Sequence, residues 1–179
     1  MKTVLGISGS LRRGSFNAGL LRAAADAMPE GARLVTGSIA GIPLYDADRE
    51  DDSGTPEAVE ALRRALAEAD ALLLATPEYN NSIPGVFKNA VDWVASGPSA
   101  ELFRGKPVAV MGASPMAHGT MLAQDAWWPV LRALGTRPWF DGRLMLGRAR
   151  GLFDADGTLT DAASLEAVDT FVKGFVASL

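Results

Sequence analysis

The chain has 179 residues, 48% of them apolar and 21% charged, with a formal net charge of −4. This length suits one domain spanning 1–179, and such a chain buries roughly 70% of its unfolded surface, enough for a core without a disulfide or metal staple. With no cysteine and one histidine, His118, it lacks the side chains for a disulfide framework, a thiol nucleophile, an iron–sulfur cluster or a Cys/His zinc site. Any redox chemistry would have to be carried by a bound cofactor.

Residues Thr3 to Ser8 read as a buried strand that runs into a loop, Gly9 to Ser15. The apolar run is short, partly β-branched, and ends in Gly and Ser. A helix is predicted from Phe16 to about Met28, stopped by Pro29 and Gly31. A second strand covers Arg33 to Ser38. Gly41 to Gly54 reads as a loop whose charged stretch, Asp46 to Asp52, is solvated. Thr55-Pro56-Glu57 predicts a helix start with a hydroxyl cap, proline in the first turn and an acid at the positive end of the dipole, running to about Ala69. Asp70 to Thr76 is almost continuously apolar, as a parallel strand covered on both faces should be. Pro84 opens a helix to about Ala95, Pro107 to Gly112 is a strand, and Thr120 to Leu134 is a helix. A fifth strand falls within Pro138 to Leu146. The last helix starts near Asp161 with Leu165, Val168, Val172, Phe175 and Leu179 as its buried stripe.

Strands and helices alternate about five times with no linker and no repeat, which is the pattern of a doubly wound α/β domain. Five strands at this length suit a flavodoxin-like fold, a three-layer sandwich around a parallel sheet of order 2-1-3-4-5. In such sheets ligands bind outside the carboxyl ends of the strands, where strand order reverses. Three unusual loops all follow strands: Gly9 to Asn17, Pro77 to Ser82, and Ala113 to Gly119.

The first of these loops joins a strand to a helix, so backbone N–H groups at the helix start favour an anion. Ser10, Ser15 and Asn17 add short polar side chains and Arg12 adds a full charge, a set that suits a terminal phosphate. It is not a P-loop, because Ser15 stands where GxxxxGK[ST] needs lysine, and no GxGxxG segment occurs. A polar turn that merely caps the helix is the plainer alternative. The second loop brings Tyr79 and two amides to the end of a central strand; as a plain connection it would be capped by Asn80 or Ser82.

Gly9 to Asn17 (GSLRRGSFN), Pro77-Glu78-Tyr79-Asn80, and Ser82 to Trp93 (SIPGVFKNAVDW) together resemble the NADPH-dependent FMN reductases. The similarity is strongest to the branch of bacterial quinone, chromate and azo reductases. The resemblance implies non-covalent FMN and NADPH or NADH as co-substrate. It implies a phosphate loop of Ser10, Leu11, Arg12, Arg13, Gly14, Ser15, Phe16 and Asn17, with Ser10, Arg12, Ser15 and Asn17 in direct contact. Pro77, Glu78, Tyr79 and Asn80 would meet the flavin ring, and Ser114 would supply a third contact. Two departures touch substrate preference. Asn81 stands where relatives often carry a second aromatic, and Pro115-Met116-Ala117-His118 replaces a more glycine-rich third loop.

The expected protein is an FMN-dependent NAD(P)H oxidoreductase passing two electrons to a quinone or similar acceptor, with chromate, azo and nitro compounds as further candidates. No side chain is expected to do covalent chemistry and no metal is expected. The rival readings are a flavin reductase that releases reduced FMN to a monooxygenase, a flavodoxin-type electron carrier, and a domain that has lost its cofactor. The resemblance also implies a homodimer or homotetramer. The negative charge argues against nucleic acid. No run reaches the roughly 18 apolar residues of a membrane span, and residues 1–10 do not read as a signal peptide, so a cytoplasmic location is expected. His118 reads as an exposed or hydrogen-bonded bystander. Glu78 reads as structural rather than as a base, and Trp127-Trp128 as buried or at a subunit contact. Asp154 to Thr158 begins like a calcium loop but carries Leu159 and Leu165 at its sixth and twelfth positions, so it reads as a turn.

Overall fold

A computed structural model of the chain describes residues 1–179. The elements in order are β1 (Lys2–Ser8), α1 (Phe16–Asp26), β2 (Ala32–Gly37), α2 (Ala47–Ser53), α3 (Glu57–Glu68), β3 (Ala71–Ala75), α4 (Gly85–Val94), β4 (Pro107–Ala113), α5 (Met121–Ala133), β5 (Arg137–Pro138), β6 (Leu144–Leu146) and α6 (Ala162–Ala177). Short 3-10 helices cover Gly97–Phe103 and Ala149–Gly151. All strand pairs are parallel and the order is β2-β1-β3-β4-β5, as expected of a flavodoxin-like sheet.

Period-two alternation of the strands divides the core into two layers. Leu5, Ile7, Leu72, Leu74, Val108 and Val110 face α3, α4 and α5, where Val59, Leu62, Phe87, Trp93, Trp127 and Leu131 meet them. Val4, Leu73, Ala75, Ala109 and Met111 face α1 and α6, against Leu20, Leu21, Val168, Phe171 and Phe175. All five residues of β3 are buried because both of its faces are covered.

The structure corrects several local expectations. The fifth strand is broken in two: β5 pairs Arg137 and Pro138 with Pro107 and Val108, and β6 pairs Leu144 to Leu146 with Met111 to Ala113, along the same edge of β4. The sheet therefore has six strands instead of five. Pro138 has no N–H for a ladder, and the chain leaves the edge to seat the Trp139 ring against Phe171 and Phe175 at 5.2 and 5.6 Å. The charged stretch after Asp46 is helical. Asp46 caps it through Asp48 N–H, and Gly54 ends it at a φ of 76°. Thr55 does not cap α3, whose capping position is Pro56 with no side-chain bond. Thr55 Oγ1 instead accepts from Arg63 at 2.9 Å. Neither Asn80 nor Ser82 caps α4, which begins after Pro84. In α6 Leu165 is exposed, and Ser164 and Phe171 take buried places in its stripe. No helix is long and apolar enough to cross a membrane.

Candidate flavin site

The carboxyl ends of β1, β3 and β4 lie side by side, knitted by Gly9 N–H to Ala75 O (2.9 Å) and Thr76 N–H to Met111 O (2.8 Å). Strand order reverses between β1 and β3, the place where such sheets leave a crevice. An open cleft of ≈ 190 Å³ lies there. Ser10, Arg12, Gly14, Ser15, Phe16 and Asn17 form one wall, Pro77, Glu78 and Tyr79 the second, and Ala113, Ser114 and Pro115 the third. The three loops singled out from the sequence thus converge.

The first wall is shaped by glycine and by the start of α1. A Cβ on Gly9 would stand 2.1 Å from Phe87 Cδ1, so only glycine lets the loop leave β1 over that ring. Ser15 caps α1 by accepting from Ala18 N–H at 3.2 Å. The N–H groups of Phe16 and Asn17 make no hydrogen bond within the chain. Arg12 and Arg13 have no acidic partner, and residues 9–17 include no acid. Free donors, a helix N-terminus and an unneutralised guanidinium are what a phosphate dianion requires. Nearby, Ser8 Oγ is buried at the end of β1 without a partner.

Asn17 has a different role from the one expected of its side chain. It is 3% exposed and brackets one peptide: Asn17 Nδ2 donates to Ala113 O and Ala113 N–H donates to Asn17 Oδ1, both at 2.9 Å. It fastens the first wall to the third and keeps its backbone N–H for the cleft.

In the second wall, Tyr79 and Ser82 exchange two 3.1 Å backbone hydrogen bonds across Asn80 and Asn81, whose φ angles are 51° and 62°. This is a tight turn of the primed kind, with both central residues left-handed, a conformation asparagine adopts more readily than most side chains. Both Asn80 and Asn81 suit it. The N–H groups of Glu78 and Asn80 have no partner within the chain. Glu78 itself is structural, as expected. Its carboxylate accepts from Leu122 and Ala123 N–H and contacts His118 Nε2, each at 2.9 Å.

Ser114, 4% exposed, hangs from β6 through its N–H to Leu146 O and accepts from Met116 N–H at Oγ. Of the thirteen residues the resemblance implicates, Leu11, Arg13 and Asn80 stand outside the cleft lining, exposed to solvent. Ala113 and Pro115 line it without having been singled out as contacts. The small residue ending β4 and the proline after Ser114 were the available signals. Trp127 is fully buried, packs edge-on to Phe87 and donates to Thr76 Oγ1 at 3.1 Å.

A phosphate-ready helix start facing unpaired backbone donors at a switch point defines a flavodoxin-like protein fitted for a flavin mononucleotide. The comparisons agree. The family model described as NADPH-dependent FMN reductase matches residues 2–151, and the chain belongs to that family. It is 46% identical to the NAD(P)H-dependent FMN reductase PA1204 of Pseudomonas aeruginosa over 92% of this chain and 88% of that one. It is 36% identical to a 2-hydroxy-1,4-benzoquinone reductase from a Burkholderia species over 96% and 92%. Among solved structures, the flavoenzyme NAD(P)H:(acceptor) oxidoreductase FerB of Paracoccus denitrificans superposes with a TM-score of 0.87 at 33% identity, covering 99% of this chain and 96% of that one. The protein is accordingly an oxidoreductase with FMN as its cofactor and NAD(P)H as its reductant.

Proposed function

We propose that the chain, as one FMN-binding domain over 1–179, is a quinone reductase that retains its FMN, and that the converging cleft is where the cofactor sits. The observation that carries the reading is the pairing of unsatisfied donors on the first wall with free N–H groups on the second. Ser10, Arg12, Ser15 and the N–H groups of Phe16 and Asn17 would hold the phosphate. The N–H group of Glu78, with that of Asn80 just beyond the cleft lining, would bond the polar edge of the flavin ring, and Tyr79 and Ser114 would border it. The bound flavin supplies hydride acceptance and two-electron release. The protein's own contribution is to orient the ring and exclude competing contacts, so no side chain needs to form a covalent bond.

The related benzoquinone reductase supports a quinone as acceptor. Both substrates would use one cleft, so ping-pong kinetics are expected. Exposed apolar side chains on the second and third loops and at the start of α5 (Tyr79, Met116, Met121 and Leu122) support a homodimer or homotetramer, which sedimentation would reveal. A cytoplasmic location suits a reductase fed by NAD(P)H.

The test is an absorbance spectrum of purified protein, before and after anaerobic NADPH and then a quinone. Flavin bands that survive gel filtration, bleach with NADPH and recover with quinone are the expected result. A protein that stays colourless after added FMN would refute the site. Flavin lost on the column would favour release of reduced FMN to a partner, which the openness of the cleft permits.

A further inference from the structure

From Pro77 to Ser82, nearly every hydrogen bond stays inside the loop or reaches only its neighbour Thr76. Glu78 is the one residue there that bonds to a distant part of the chain. Its side-chain carboxylate is only 4% exposed. Oε2 accepts the N–H groups of Leu122 and Ala123, and Oε1 meets His118 Nε2, all at 2.9 Å. Thr120, in the capping position of α5, makes no cap bond, and its hydroxyl accepts from Gln124 Nε2 at 3.1 Å instead. Glu78 therefore caps α5 from more than forty residues away, with its negative charge at the positive end of the helix. The far side of this contact is firm. Gly119 sits at a φ of 64°, where a Cβ would stand 3.0 Å from the Met145 backbone, and Ser114 is bonded to Leu146.

We propose that Glu78 is a positioning residue for hydride transfer: its contacts with α5 and His118 set the separation of the second and third walls, and so where the flavin ring lies against the entering nicotinamide. The proposal rests on the assignment of Pro77–Asn80 to the ring. Glu78 makes no hydrogen bond to the phosphate wall, so anchoring of FMN and placement of its ring should be separable by mutation. The charge is incidental to this role: a glutamine keeps an oxygen for the two N–H groups of α5 and an amide to donate to His118.

The experiment compares E78A, E78Q and H118A, each loaded with FMN, by anaerobic stopped-flow reduction with NADPH, by flavin fluorescence and by FMN titration. Misplacement of reacting groups by about 1 Å can cost ~100-fold, so E78A should slow reduction at saturating NADPH by about tenfold or more. Its FMN affinity should stay within about threefold, and its flavin emission should move toward that of free FMN. E78Q should restore reduction to within about threefold of wild type, and H118A, which removes one of the three contacts, should lie between. Equal slowing in E78A and E78Q would make the charge the active feature and overturn the proposal. So would reduction by E78A within about threefold of wild type. If E78A fails to fold, H118A decides, since its imidazole is at the surface: slowed reduction at an unchanged melting temperature supports positioning, and wild-type reduction refutes it. R12A and S15A control the site itself. If neither weakens FMN, the assignment of the cleft fails, whatever Glu78 does.

Discussion

Asn17 shows how one side chain can decide whether a cleft exists. Its two 2.9 Å bonds to a single peptide tie residues 96 apart in sequence. Replacing it with alanine leaves a buried N–H and C=O unsatisfied, at about 1–3 kcal/mol each. N17A should lower the thermal midpoint of the apo protein, measured by calorimetry, as well as weaken FMN. Arg12 is the opposite kind of residue, exposed and unpartnered, so R12A should leave the melting temperature nearly unchanged. A charge-assisted bond to phosphate is worth about 1.5–3 kcal/mol, which makes the expected loss of FMN affinity roughly ten- to hundredfold in a fluorescence titration. Gly9 is constrained by packing: G9A places a methyl against Phe87, and such overpacking costs about 1–3 kcal/mol, read as a shifted urea midpoint. Arg12 and Ser15 were legible in the sequence because a polar loop between strand and helix has a local chemical logic. The bracket made by Asn17 was not, because nothing in a linear pattern marks which distant peptide a side chain will meet.

At the scale of elements, strands and long helices announced themselves by apolar runs and stripes, since their burial repeats with a fixed period. The short α2 has no buried residue and hence no stripe. Its signals were a capping aspartate, acids in the first turn and a terminal glycine, which together describe a helix held by its ends. Its docking is electrostatic. Glu50 accepts from the Ser96 hydroxyl and from Thr55, and stands 3.5 Å from Arg63. The Ser96 bond, aided by Thr55 and Arg63, holds the Glu50 carboxyl below its ordinary value of 4.5 against the opposing effect of burial. Its value in the folded protein lies below that in the unfolded chain. The stabilisation is therefore complete above the ordinary value and disappears as pH falls through the lowered one. Urea midpoints for wild type should drop more steeply than those of E50Q across that acid window, and S96A should narrow the difference. The broken fifth strand escaped the sequence reading for a related reason: β5 and β6 are two and three residues long, too short for any periodicity to show.

For the whole molecule, strand order and the position of the cleft followed from alternation, because a parallel sheet with helices on both faces leaves only one edge where loops can meet a ligand. Binding there should stabilise the entire fold. A ligand at about a hundred times its dissociation constant adds ~2.7 kcal/mol, and a domain of this size gains about 2–4 °C per kcal/mol. FMN should therefore raise the melting temperature by roughly 5–11 °C in a scan at fixed protein concentration, and the R12A variant should lose most of that rise.

The bracing of the cleft also bears on how fast it fills. Two of its walls are joined by Asn17, and the second is tied by Glu78 to α5 and to His118, all through the protein's own groups. Little of the pocket has to be ordered by the incoming molecule, so the entropy of arranging these loops is already spent when the chain folds. Uptake of cofactor should then proceed as a single bimolecular phase, first order in FMN with no slow rearrangement behind it. Amide exchange at Ala113, Leu122 and Ala123 should be slow before the flavin arrives as well as after.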